Sequence, residues 1–283
     1  MNDTQKQAIR EALGLHLSGL SLSQSRFAKR AGVSAALVSQ LLNGNWENIS
    51  EQAWRKIAAA VGYSQGWQAA ETTNFKLVTS YCALAQQSGI AKLIAYDAGA
   101  GKSFALRQYA LHNKNVFYVQ CERFFTQKVL LRKLCAAVGV QASGSIAELF
   151  DALIDALNTL DKPLVIFDEF DKILGGVFDV FKTLYDATEG RCGFVLCGAV
   201  CLREELRRRV DRNKIGYVEL FSRCGREFLQ LRPITKKDIE AVCVANGITA
   251  PEVIAEIVRS LGNGDYRTLR TLVERKKTEL LWT

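Results

Sequence analysis

The sequence predicts an α/β protein: a three-layer, mainly parallel sheet, preceded by an all-helical domain and closed by C-terminal helices. Three observations predict it. Short apolar runs (Lys92 to Tyr96, Val116 to Gln120, Leu164 to Phe167, Gly193 to Cys197) alternate with stretches of helical period. A glycine turn ending in lysine and serine follows the first run and two acids follow the third, so both fall at carboxyl ends of strands, where open sheets bind ligands. Residues up to about 68 read as four or five short helices. The chain divides into residues 1–68, 69–232 and 233–283.

With 283 residues, 48% hydrophobic and 23% charged, the chain has the composition of a globular protein rather than a disordered one. Its formal charge of +8 favours nucleic acid or another acidic surface as partner. None of the eight cysteines is spaced CxxC, and Cys135, Cys197 and Cys243 sit in hydrophobic segments, so reduced, partly buried thiols are expected. The start, Met1-Asn2-Asp3-Thr4-Gln5, opens a polar helix, and no run of eighteen apolar residues exists. A cytoplasmic protein without membrane contact is therefore expected.

In the helical domain the run from Ser25 to Gly44 carries the signal. Phe27 and Ala28 face inward on one helix, Gly32 permits a tight turn, Val33 plugs the angle, and Ser34 caps a second helix. There Leu37, Val38, Leu41 and Leu42 form the apolar stripe, leaving Ala35, Ala36, Ser39 and Gln40 outward. Asn43-Gly44 stops the helix. Trp46, Trp54, Ile57 and Val61 complete a small core. This helix-turn-helix resembles the DNA-binding domain of phage lambda-type repressors. The resemblance implies that Gln40 addresses a base edge, Ser34 or Ser39 a phosphate, and Lys29 and Arg30 the backbone of duplex DNA. The nearly uncharged face favours nonspecific over operator-specific binding. A helical unit that packs on the core or on another protein is the other reading. A polar linker, Gln65 to Asn74, follows.

A helix with Val78, Tyr81, Cys82 and Leu84 leads to Gly89 and the first strand, and then to Asp97-Ala98-Gly99-Ala100-Gly101-Lys102-Ser103. A small, flexible turn before a helix lets consecutive amides point at phosphates, with the positive helix end behind them. Lys102 then reaches the β- and γ-phosphates of ATP, and the Ser103 hydroxyl ligates Mg²⁺. Tyr96 stands where the usual pattern has its first glycine. After the second strand come helices from about Thr126 to Val138 and from the capping box Ser145-Ile146-Ala147-Glu148. The third strand ends on Asp168, expected to hold Mg²⁺ through water, and on Glu169, expected to polarise the attacking water. The fourth strand offers only Cys197 and the backbone around Gly198 for sensing the γ-phosphate. A fifth strand is expected from Phe228 to Leu231.

Arg203, Arg207, Arg208, Arg209, Arg212 and Lys214 crowd a loop or helix after the fourth strand. Phosphate binding is a natural use for them, and a solvated face is the alternative. Thr235 with Asp238, and then Pro251, open C-terminal helices. The Asp-Glu pair and the segment after the fourth strand resemble the AAA+ ATPase superfamily, which implies a P-loop core with a helical lid. It also implies an arginine finger at Arg223, with Arg226 in reserve, and a γ-phosphate contact from Arg267 in Gly264-Asp265-Tyr266-Arg267-Thr268-Leu269.

Repressor-like domain plus small AAA+ module is similar to the phage Mu transposition protein B family. That resemblance implies a homo-oligomer, as helical filament or ring-like assembly, on target DNA in a bacterial or phage-infected cell. It implies recruitment and stimulation of a DDE-type transposase, and disassembly on ATP hydrolysis. A helicase loader and a nucleotide-sensing repressor are the alternatives.

Overall fold

The computed structural model describes residues 3–20, 22–47, 49–63, 67–173, 175 and 177–280. Met1, Asn2 and Gln65, where the N-terminal domain and the polar linker were expected to begin, lie outside them.

Four helices come first: α1 (Asp3–Leu20), α2 (Gln24–Ala31), α3 (Ala35–Leu42) and α4 (Glu51–Ala60). Ser23, Ser34 and Ser50 cap the last three, each hydroxyl accepting an amide of the first turn. Gly32 ends α2 with φ +65°, the left-handed geometry that a sharp exit into the next helix requires. Phe27, Val38, Leu41, Trp54 and Ile57 bury together with Ile9 and Leu13 of α1.

The sheet comes next: α5 (Thr73–Ser88), β1 (Ala91–Ala95), α6 (Lys102–His112), β2 (Val116–Gln120), α7 (Gln127–Val138), α8 (Ile146–Thr159), β3 (Leu164–Asp168), a 3-10 turn (Phe170–Ile173), α9 (Phe178–Ala187), β4 (Gly193–Gly198), α10 (Val200–Asp211), α11 (Tyr217–Arg223) and β5 (Phe228–Leu229). Strand order is β2-β3-β4-β1-β5 and every pairing is parallel. Helices cover both faces, which is why β1, β3 and β4 are buried at every residue. One apolar layer centres on Phe167, Phe170, Phe181 and Phe194, the other on Val78, Ile94, Leu106 and Ile166.

β1 stops at Ala95 rather than Tyr96, because the Tyr96 carbonyl accepts from the Lys102 ammonium instead of joining the ladder. β5 stops at Leu229 rather than Leu231, and the Arg232 amide beyond it donates to Asn74. Of the residues named for α5, Val78 and Cys82 are buried, while Leu84 is 46% exposed. Helices α12 (Lys236–Ala245), α13 (Pro251–Leu261) and α14 (Tyr266–Leu280) form a third cluster around Ile239, Cys243, Ile257 and Leu269.

The segment from Trp67 to Asn74 is not a spacer. The Gln68 amide donates to Asn246 Oδ1 at 2.8 Å, and Asn246 Nδ2 returns a bond to the Gln68 carbonyl at 3.2 Å. Arg270 and Lys277 lie over the Trp67 ring, and the Thr73 amide donates to Asp238 at 2.6 Å. These contacts with α12 and α14 strap the C-terminal helices to the core. Among the described residues no helix is long and apolar enough to cross a membrane.

The N-terminal helices dock on the edge of the sheet. Arg30 donates to the Val116 carbonyl at 3.4 Å, and its guanidinium lies over Phe117. Burial and neighbouring Arg26 push its pKa down. Arg30, expected to meet the DNA backbone, is thus drawn to the interface with β2.

Candidate functional site

A cleft of about 580 Å³ opens at the carboxyl ends of β1, β3 and β4. Ala98 to Ser103, Asp168, Glu169 and Arg267 line it, so the expected glycine turn, acids and lid arginine share one cavity. Asp97 adjoins this wall through its carbonyl, which accepts from Lys102 Nζ at 2.7 Å, while that of Tyr96 accepts at 2.6 Å. Lys102 is 8% exposed. Burial pushes its pKa down, against the pull of Cys197, Asp168 and Asp97. A buried ammonium held by two carbonyls is a cation poised for a stronger, anionic partner.

The turn has its glycines where backbone demands them. Gly99 and Gly101 have φ of +79° and +87°, and a Cβ at Gly99 would sit 1.8 Å from Asp265 Oδ2. The Tyr266 amide also donates to the Gly99 carbonyl at 3.1 Å. The start of α14 thus presses directly on the turn and aims the exposed Arg267 into the cleft. Asn74, 2% exposed, staples the turn from the other side, donating to the Ala100 carbonyl at 3.3 Å and the Arg232 carbonyl at 2.8 Å.

Asp168 is 1% exposed, and the Tyr118 hydroxyl donates to its Oδ2 at 2.6 Å. Desolvation first, and then the Asp168 charge, drive the Tyr118 pKa upward, so Tyr118 stays a donor. Arg107 completes the chain, donating to the Tyr118 hydroxyl and to Gln120 Oε1 at 3.1 Å each. Glu169 has φ +56°, an unusual left-handed conformation for a non-glycine residue, and its carboxylate pairs with Lys172. Cys197 is wholly buried beside Asp168 and Lys102, and burial pushes its thiol pKa well up. It stays a neutral thiol at the end of β4, between the buried sheet and the charged pair Asp168 and Lys102. All eight cysteines are free, and seven are buried.

The chemistry of this donor set fits a magnesium-bound triphosphate. The turn and α6 supply amides and an ammonium for phosphate oxygens. Ser103 and Asp168 supply the hard oxygen ligands that Mg²⁺ prefers. Glu169 supplies a carboxylate on the facing wall.

The arginines sort differently from the sequence expectation. Arg223, expected to reach a neighbouring subunit, turns inward: it pairs with Asp186 at 2.6 Å and with Glu219, lies over Tyr185, and keeps 18% of its side chain exposed. Arg226, three residues on, is exposed, in left-handed backbone, and free of side-chain ion pairs among the described residues. On α10, Arg208 and Arg209 share Glu205, while Arg203 and Arg207, and Arg212 and Lys214 just beyond the helix, form no ion pair among the described residues. On the helix-turn-helix, Lys29, Ser34, Ala35, Ala36 and Gln40 are exposed, Ser39 is half-buried, and the Ser34 hydroxyl accepts the Leu37 amide.

Sequence reasoning missed Tyr118, Asn74, Arg107, Lys172, Trp67 and Arg270, the last four of which line the cleft. Lys172 lies three residues after Glu169 and could have been found from that spacing. The others are brought in from distant segments, and nothing local marks them.

A family model described as an AAA domain matches residues 86–209. A curated relative, the Mu-like prophage FluMu DNA transposition protein B of Haemophilus influenzae, is 22% identical over 279 aligned residues, covering 94% of this chain and 96% of the relative. The segment similar to an AAA domain spans β1 to β4 of the parallel sheet that the sequence predicted, and the similarity to the transposition protein B relative extends over nearly the whole chain.

Proposed function

We propose that this chain is an ATPase of DNA transposition: it binds duplex DNA with little sequence preference in an ATP-dependent way, oligomerises there and engages a transposase. The observation that carries this reading is the gathering of Lys102, Ser103, Asp168, Glu169 and Arg267 around one cleft, in a chain similar end to end to a transposition protein B. The cations of α10 and the turn after it support the DNA partner, since they outnumber Glu204, Glu205 and Asp211 and four of them pair with no acid among the described residues.

Bound Mg²⁺–ATP supplies the phosphoanhydride bond and the energy of its hydrolysis. With the nucleotide bound, the amides of the Gly99–Ser103 turn would donate to the phosphates, Lys102 would offset their charge, and Ser103 and Asp168 would hold the metal. Tyr118 fixes which way the Asp168 carboxylate faces. Glu169 takes a proton from water, which requires its carboxylate to part from Lys172. Arg267 reads the far end of the triphosphate from α14. Arg226 is the arginine available to a neighbouring copy's nucleotide, in place of the committed Arg223. Assembly and hydrolysis are then coupled, because part of the site arrives in trans. Localisation in the cytoplasm of a bacterial or phage-infected cell follows from this role.

Electron microscopy of the protein with duplex DNA tests the reading. Continuous filaments or rings on DNA that require ATP are expected. Discrete particles on one site, indifferent to nucleotide, would overturn it.

A further inference from the structure

The helix-turn-helix domain sits on a hollow seat. β2 is an outer strand of the sheet, and α2 covers its start: Arg30 reaches the Val116 carbonyl, and the Arg26 stem lies against Gly139 at the end of α7. Leu111, near the end of α6, packs so closely on the turn after α4 that a Cβ on Gly62 would lie 2.0 Å from its Cδ2. Beside this contact lies a cavity of about 340 Å³ with no acid in its lining. Both histidines of the chain, His16 of α1 and His112 of α6, line it.

The charges that act on His16 are cationic. Arg30 of α2 and His112 of α6 face it, while Arg10 of its own helix donates to the Leu42 carbonyl. α3 has no charged residue, and on α4 Arg55 pairs with Glu51 and Lys56 donates to the Gly32 carbonyl. Burial first, then Arg30 and His112, push the His16 pKa down to about 4, and its ring meets Phe27 edge-on at 5.8 Å. Docking thus requires a neutral His16. Arg30 is poorly served there too, with one carbonyl at 3.4 Å and the face of Phe117 in place of water. A guanidinium with such partners gains on exchanging them for a phosphate.

We propose that the helix-turn-helix domain is a releasable unit, docked on the edge of the sheet so that Arg30 is withheld from DNA, and that duplex DNA binds the released domain with Arg30 on a phosphate. This device rests on the DNA partner of the proposed function and adds a control to it. Docked, α3 has Lys29 as its exposed basic neighbour on α2; released, it has Lys29 and Arg30. A docked state that needs a neutral His16 is fully favoured above the ordinary pKa of 6.5 and is lost as pH falls from there toward about 4. Between pH 7 and pH 5 docking should weaken about 20-fold.

With only two histidines, the full chain reports on its own docking. Histidine side-chain resonances, assigned through His16→Phe and His112→Gln, should show His16 still neutral at about pH 5.5 without DNA. On saturation with duplex its midpoint should return to near 6.5. Leu111→Gln, which puts an amide into the seat without adding charge, should restore that midpoint without DNA. A domain docked in roughly nine of ten molecules should then bind labelled duplex about 10-fold more tightly, read by fluorescence anisotropy. Adding Arg30→Ala should abolish the gain. Parent and Leu111→Gln should converge near pH 5, whereas His16→Phe, which cannot take up the proton, should not gain. A parent His16 that titrates near 6.5 without DNA, or stays neutral at about pH 5.5 on saturating DNA, overturns the proposal. So does a restored midpoint in Leu111→Gln with unchanged DNA affinity, an outcome that leaves the proposed function standing. Failure of every variant to bind duplex overturns the DNA partner itself, and this use of Arg30 with it.

Discussion

The two surfaces with the strongest claim on DNA are built on opposite principles. α3 of the helix-turn-helix presents Ala35, Ala36, Ser39 and Gln40, a small neutral face with Lys29 beside it. Its other basic neighbour, Arg30, is spent on the contact with β2. α10 and the turn after it present Arg203, Arg207, Arg212 and Lys214 with no ion pair among the described residues, although Glu204 and Asp211 share the segment, and the start of α10 is fixed to the nucleotide cleft through Asp171. A neutral helix can orient a duplex but contributes little affinity, whereas free cations supply affinity that is sequence-blind and salt-sensitive. Under the proposed function, that difference would put grip and nucleotide control in the α/β core and leave the helix-turn-helix a guiding role.

The comparison can be broken in several places. The largest effect is expected at the cleft. Glu169→Gln should slow hydrolysis at least ~100-fold, as loss of a general base does, while leaving ATP bound and lengthening the DNA-bound state. Phosphate release and DNA dissociation kinetics read the two halves of that outcome, and rapid turnover removes Glu169 from its role.

Next in size is Lys102→Ala. Losing a charge-assisted contact of roughly 1.5–3 kcal/mol should weaken ATP binding by about 10- to 150-fold, measurable by calorimetry. Any DNA binding that survives belongs to surfaces that do not consult the nucleotide, and α3 is the first to examine.

The triple change Arg207→Ala, Arg212→Ala and Lys214→Ala addresses α10 directly. If each cation meets one phosphate, the slope of log affinity against log salt should become shallower by about 2.7. An unchanged slope would move the grip elsewhere. The smallest effect is expected from Gln40→Ala: less than about 1 kcal/mol on binding to mixed-sequence duplex, below the usual cost of one wrong base pair. A larger loss confined to one DNA sequence would make α3 a reader rather than a guide.

What was legible in the chain was what neighbouring residues decide among themselves. The helix-turn-helix is a local code: Ser34 caps because its hydroxyl lies three residues from the Leu37 amide, and Gly32 turns because it has no side chain to clash. β2, with its Val116–Gln120 bounds, and β3, ending in acid, are likewise written in consecutive residues. The capping boxes at Ser145 and Thr235 belong to the same class, each closing over three residues.

The roles of single charges were another matter. Whether an arginine is a finger or a strut depends on what lies across from it, and Asp186, 37 positions before Arg223, gives no local sign of being its partner. Arg30 was likewise settled by the edge of a distant strand, and the segment from Trp67 by helices near the other end of the chain. Tyr118 reached Asp168 because parallel pairing sets β2 beside β3. Sequence by itself determined the turns, the caps, the strand order of polar and apolar residues and the kind of chemistry the glycine turn invites. Tertiary structure alone decided which charges remain unpaired, because a long side chain takes whichever opposite charge or carbonyl the fold brings within about 3 Å, and hydrogen bonding carries no memory of chain distance.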